Sequence, residues 1–342
     1  MIRLAISGAG AIAERARIPA FLSVPGIQIV AIQSRTLEKA NRVAAAALAT
    51  VEPVPRVYDH FEEMLSRERP DAVGVFNPNN LHCEYTLKAI AAGAHVLVEK
   101  PMAPTVVECR EMVDAAKSAG RVLMVAMQRR FGGIEKTIKR AISEGAIGKP
   151  YFIRTRLSHG GPEMWAPGQN WFFEPGGGAM LDLGVHVADL ARWFMGEAES
   201  VSGQVATLEK KVQVDDNAAM VLKFRSGALG IVEASWTSRP ALSATEIYGS
   251  EGRIMAGYPR LDIAVLKADG SPVPGYERDE IMKRFDPHDW LAASRELART
   301  FVAAIESGAQ SSPSGEDGLR AIEIVEACYR SSQTGSTIRL PL

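Results

Sequence analysis

Along the first third of the chain, apolar and polar positions fall in short blocks whose period switches from two to about 3.6 and back. Ile2–Ser7, Ile27–Gln33, Ala72–Phe76, His95–Val98 and Val122–Ala126 read as short strands. Arg15–Leu22, Phe61–Arg67, Leu81–Ala92 and Thr105–Ala119 read as the helices between them. Strands and helices alternating at this spacing predict a parallel sheet covered on both faces. The pattern then changes. Tyr151–His159, Ser200–Leu208, Ala218–Phe224, Leu229–Trp236, Thr245–Gly249 and Leu261–Leu266 are successive strand-like runs with few helices between them, which predicts an antiparallel sheet. Two helices, about Asp289–Ser307 and Glu316–Ser332, close the chain around the loop Gly308–Gly315. The expected domains are 1–125 and 126–342.

One helix departs from the ordinary amphipathic pattern. From about Ala179 to Met195, with Gly196 as its stop, Asp182, His186, Asp189 and Trp193 share one stripe at a step of about 100°. Leu183, Val187, Leu190 and Phe194 border the stripe on one side, and Leu181, Val185 and Ala188 on the other. A surface helix carries a broad polar face; this narrow polar line suits a cleft. Two alternatives stand beside that reading: a core histidine held by the carboxylate one turn earlier, and an ion shared by His and Asp four apart. No further cluster at ligand spacing supports the metal.

Composition narrows the class. The 342 residues are 46% hydrophobic and 23% charged, as in a soluble globular protein of two domains. A net charge of −1 without a basic run excludes an ordinary nucleic-acid binder. Residues 1–13 lack the basic region and cleavage site of a signal peptide, and no apolar run reaches membrane-spanning length. Cys83, Cys109 and Cys328 are scattered and odd in number, which favours a reducing cytoplasm.

The first strand runs into Gly8-Ala9-Gly10-Ala11-Ile12-Ala13. In the order strand, turn, helix, Gly8 makes the tight turn and Gly10 lets a pyrophosphate approach the backbone. Ala13 then permits close packing, with the phosphates on free N–H groups around Ala11 and Ile12. The second strand ends at Ser34-Arg35, where an NAD-binding fold usually places an acid against the ribose. Serine removes that repulsion, and Arg35 and Lys39 attract a 2′-phosphate, so NADP(H) is favoured over NAD(H). An arginine here could instead stack on adenine. Two further clusters end strands: Asn77-Pro78-Asn79-Asn80 with His82, and Glu99-Lys100-Pro101. Neighbours in a strand point to opposite faces, so Glu99 and Lys100 are poorly placed to pair with each other.

Together, Gly8–Ala13, Glu99-Lys100-Pro101 and the run Gly176–Gly178 leading to Asp182 and His186 resemble the Gfo/Idh/MocA oxidoreductases. Gln128-Arg129-Arg130-Phe131, Gly145–Gly148 and Glu326–Ser331 extend the resemblance over nearly the whole chain. It implies a Rossmann doubly wound parallel sheet followed by an α/β domain with a large, open, mostly antiparallel sheet. It also implies NAD(P)-dependent oxidation or reduction of a carbinol or carbonyl carbon on a sugar, cyclitol or related polyol. By resemblance, Asn77, Pro78, Asn79, His82 and Gln128 line the cofactor and Glu99 hydrogen-bonds the nicotinamide ribose. Lys100 stands between cofactor and reacting oxygen, Asp182 positions the substrate, and His186 is the general acid/base. Asn77 stands where many members carry threonine.

Arg129, Arg130, Arg156, His159, Trp165, Asn170 and His288 are further candidates for substrate recognition. Trp165 and Trp171 could stack on a sugar face or simply pin their Gly- and Pro-rich loop. The outer face of the second sheet is expected to form a homo-oligomer, dimer or tetramer. Two rival functions suit the same sequence: a glycoside-cleaving enzyme that recycles a tightly held NAD, and a non-catalytic dinucleotide sensor.

Overall fold

The computed structural model describes residues 1–48, 53–258, 262–286, 289–309 and 312–342. Leu261, expected to begin a strand, and His288 lie outside the described residues. The chain divides into two compact units, one of residues 1–128 and 290–319, the other of residues 129–289 and 320–342.

In the first unit, β1 (Ile2–Ser7), β2 (Ile27–Gln33), β3 (Arg56–Tyr58), β4 (Ala72–Val75), β5 (His95–Val98) and β6 (Leu123–Val125) form one sheet. Their order is β3-β2-β1-β4-β5-β6, and every pair is parallel. This is the doubly wound arrangement whose strand order reverses beside β1, the point at which such sheets bind ligands beyond their carboxyl ends. The inner strands β1, β4 and β5 are largely buried on both faces, which explains their apolar runs. The first segment of this unit ends three residues beyond the expected 125/126 boundary, and Trp290–Leu319 joins the same unit. Its helix Ala292–Ser307 sets Phe301 against Phe21 with ring centroids 6.4 Å apart, and Val125 N–H donates to the Pro313 carbonyl. A contact that spans nearly the whole chain leaves no local pattern.

The second unit holds β7 (Pro150–Ser158), β8 (Ala198–Ala206), β9 (Asn217–Phe224), β10 (Leu229–Ser235), β11 (Leu242–Gly249), β12 (Gly252–Tyr258), β13 (Asp262–Lys267) and β14 (Ile338–Arg339). Their order is β13-β12-β11-β7-β10-β9-β8-β14. All pairs are antiparallel except β7 with β10. Side chains alternate as the pleat requires: Ile153, Thr155 and Leu157 of β7, and Met220, Leu222 and Phe224 of β9, are buried. Phe152, Arg154, Val221 and Ile231 fall on the opposite face. The strand Gly252–Tyr258 and the helix Gly133–Ser143 are elements additional to those expected.

The polar-striped helix is present but not uniform. Met180–Gly184 is a π turn that runs into the α-helix Val185–Met195, and Gly196, at φ +89°, ends it. Ala13–Arg17 is likewise a π turn leading into the α-helix Ile18–Leu22. In a π turn the hydrogen bonds run i→i+5, so a constant 100° step does not describe which side chains share a face.

Candidate active site

At the carboxyl end of β1, Gly8 has φ +101°, and a Cβ there would stand 2.4 Å from the Phe76 carbonyl oxygen. Only glycine allows β1 and β4 to end this close together. A Cβ on Gly10 would meet nothing within 4 Å, so the backbone there faces open space of the kind a pyrophosphate needs. The Asn77 amide oxygen Oδ1 is buried without a hydrogen-bond partner, an acceptor that a bound ligand would satisfy. These features fit a dinucleotide. Gln33 fixes the end of β2, accepting from Ser7 Oγ at 2.7 Å and donating to the Asp59 carbonyl. Ser34 next to it is buried, whereas Arg35 and Lys39 are exposed.

His82 is buried between the two strand-end clusters, with Nδ1 2.8 Å from the Pro101 carbonyl and Nε2 2.8 Å from the Asn77 carbonyl. Burial pushes its pKa below the ordinary value, against the pull of the two carbonyls. The neutral ring donates to one of these carbonyls and packs against the other, which sets it between Asn77 and Lys100–Pro101, a peptide bond that is cis.

Glu99 does not stand alone. Its Oε1 accepts from Nε of Arg17 at 2.5 Å, and its Oε2 accepts from the Lys100 backbone N–H at 3.1 Å. Arg17, 1% exposed, also donates to Gln128 Oε1 at 2.9 Å and Ser294 Oγ at 3.0 Å. Sequence reasoning missed Arg17, because its pattern reads as the polar side of an ordinary helix. The π turn and the returning segment with Ser294 enclose it instead. Lys100 is half-buried at the end of β5.

In the second unit, Asp182 and His186 are 5% and 6% exposed. Trp236, fully buried just after β10, donates from Nε1 to Asp182 Oδ2 at 3.1 Å. Asp189 is engaged differently: Arg130 grips it with Nε to Oδ2 at 2.9 Å and Nη2 to Oδ1 at 2.5 Å. That two-pronged pair accounts for one acid of the stripe structurally. The start of the π turn is anchored by Asp215, whose backbone carbonyl accepts from Ala179 N–H and whose Oδ2 accepts from Met180 N–H at 2.7 Å. Tyr329 donates its hydroxyl to Asp215 Oδ1 at 2.7 Å, and burial raises the Asp215 pKa. Neither Asp215 nor Trp236 carries a sequence signal, since each reaches the helix from a distant strand end.

The remaining candidates are dispersed. Trp171 stacks on Phe172 at 3.7 Å, and Trp165 meets Phe172 edge-on at 5.2 Å, so both tryptophans hold their loop together. Trp165 keeps 39% exposure, and Asn170 is exposed. Arg129 pairs with Glu135 at 3.5 Å, and His159 Nδ1 accepts the Gly161 N–H. Arg156 lies on the sheet face opposite the buried Thr155.

Residues 2–127 match the oxidoreductase family with an NAD-binding Rossmann fold, and residues 136–255 match the GFO/IDH/MocA C-terminal domain. The chain is 32% identical over 347 residues to 1,5-anhydro-D-fructose reductase of Ensifer adhaerens, with 99% of each chain covered. It is 31% identical over 296 residues to myo-inositol 2-dehydrogenase of Thermotoga maritima, covering 84% of this chain and 85% of that one. The crystal structure of the WlbA dehydrogenase from Bordetella pertussis, in complex with NADH and UDP-GlcNAcA, matches with a TM-score of 0.90 at 25% identity, covering 100% of this chain and 98% of that one. The chain belongs to the Gfo/Idh/MocA family. It is an NAD(P)-dependent oxidoreductase acting at a carbinol or carbonyl carbon.

Proposed function

We propose that this enzyme interconverts a secondary alcohol and a ketone, or a cyclic hemiacetal and a lactone, on a sugar, cyclitol or related polyol, with Lys100, Asp182 and His186 as the groups that act on substrate. The observation that carries the reading is the buried Asp182–His186 set on one helix, in a chain related along its length to a sugar reductase. When bound, the nicotinamide gives or accepts the hydride. In the oxidation direction His186 takes the hydroxyl proton, and Lys100 stabilises the negative charge growing on that oxygen. Asp182 orients the substrate hydroxyls. In reduction His186 returns the proton to the carbonyl oxygen. Gly8, Gly10, Ala11 and Ile12 would hold the pyrophosphate, and Asn77, Pro78, Asn79, His82, Glu99 and Gln128 would frame the nicotinamide half of the cofactor.

Ser34 in place of an acid, with exposed Arg35 and Lys39 beside it, favours NADP(H). The outer face of the second sheet mixes Phe152, Val221 and Ile231 with the Arg154–Glu233 pair, which supports a homo-oligomer through that face. Buried thiols at all three cysteines suit a reducing cytoplasm.

The test is a screen of myo-inositol, D-xylose, levoglucosan and 1,5-anhydro-D-fructose with each of NAD(H) and NADP(H), following the nicotinamide absorbance. Net accumulation or consumption of reduced nicotinamide, faster with the phosphorylated cofactor and slowed for it by Arg35→Ala, is expected. Binding without net redox change would point to internal recycling or to a sensor. Equal use of both cofactors would remove the role given to Arg35.

A further inference from the structure

We propose that Trp236 is a positioning residue for Asp182, helping to fix the orientation of its carboxylate for substrate. The inference rests on the role given to Asp182 above and names a group that helps to set its geometry.

A carboxylate turns easily about its terminal torsion, which has broad wells rather than three sharp ones. A single donor of fixed direction removes that freedom. An indole supplies such a donor: one N–H, in the ring plane, with no acceptor function. Here the ring is held from two sides. Its backbone follows β10, which is paired with both β7 and β9, and the Trp236 N–H donates to the Asp216 carbonyl at 2.8 Å. From the loop, Phe172 and Phe173 meet the indole edge-on, with centroids 6.5 and 5.7 Å away. Trp171 stacks on Phe172 in turn. With the ring fully buried, its Nε1 is aimed at Asp182 Oδ2 and held there. Asp182 itself lies in the π turn Met180–Gly184, which sets its Cβ direction but not the plane of its carboxylate.

A buried indole N–H needs some acceptor whatever its function, and a purely structural bond would contribute stability alone. The two roles separate in a coupled experiment. Trp236→Phe keeps an aromatic ring against Phe172 and Phe173 and removes the N–H. With the polyol selected by the screen, its kcat/KM is expected to fall by about ten- to a hundredfold, the loss of one hydrogen bond to a charged group. NADH affinity should be unchanged. In the double variant Trp236→Phe/Asp182→Asn, kcat/KM should fall no further than in Asp182→Asn alone, because one residue acts through the other. Multiplying losses, or a near-normal kcat/KM for Trp236→Phe, would overturn the inference. Normal turnover by Asp182→Asn alone would remove Asp182 from the reaction and this proposal with it, a result read without touching Trp236.

A second readout does not require the Trp236 variant to fold. The chain has five tryptophans, so the indole N–H signals of the 15N-labelled protein can be assigned individually. In Asp182→Asn the Trp236 signal should move while the other four stay in place. An unmoved Trp236 signal would contradict the bond.

Discussion

The Arg17 guanidinium and the Glu99 carboxylate form a buried pair, 2.5 Å apart, between residues 82 positions apart in the chain. The same guanidinium reaches Gln128 and Ser294, so one side chain gathers three segments at the carboxyl end of the parallel sheet. Replacing it with methionine leaves Glu99 buried without its counter-charge. Breaking one partner of a buried pair costs about 3–5 kcal/mol. Arg17→Met is therefore expected to lower unfolding stability by that order and to weaken NADH binding, measured by urea unfolding and by quenching of tryptophan fluorescence. Unaltered NADH affinity in a destabilised variant would confine Arg17 to a structural role.

Asp182 and Asp189 share a sequence stripe yet should behave in opposite ways. Asp189 is consumed by the Arg130 fork, whereas Asp182 meets an indole. Asp189→Ala should lower the thermal midpoint through loss of a buried pair. Asp182→Asn should keep the midpoint close to the parent's and reduce kcat/KM by at least about tenfold. Thermal melts and steady-state kinetics on the two variants check the contrast, and a reversed pattern would mean that the stripe is misassigned.

His82 gives the first unit a pH dependence. Burial holds its pKa in the folded protein below the ordinary 6.5, so the unfolded chain binds the proton more readily. The Pro101 and Asn77 carbonyls and the nearby Glu99 oppose that shift, and Lys100 adds to it. Stability linked to His82 is thus fully present above 6.5 and is lost as pH falls below it. The urea midpoint of the wild type should decline over that range, and His82→Gln should lack this component. An identical decline in both proteins would show that His82 does not titrate as described.

Much of the fold is legible along the chain because its signals are local. Gly8 and Gly10 after β1, the apolar run His95–Val98, and Gly196 at the helix end each act within a few residues of themselves. The alternation of β9 likewise follows from the pleat. What escapes the sequence is whatever depends on distant partners. The parallel pairing of β7 with β10 and the return of Ala292–Ser307 to the first unit leave no periodic trace. Of the residues given roles above, Asp182, His186, Glu99 and Lys100 stand out by residue type and position. Arg17, Asp215 and Trp236, which bond to Glu99, to the start of the π turn and to Asp182 respectively, become visible only when separate strands are brought together.

The most direct test of the proposed chemistry is the turnover of Lys100→Met and His186→Asn beside their affinity for NADH. If these residues handle the proton and the developing charge on oxygen, each variant should lose about two to four orders of magnitude in kcat. Both should still bind NADH with affinity close to the wild type's. Near-normal turnover in either variant would contradict the assignment of that residue, and in both would contradict the proposed mechanism.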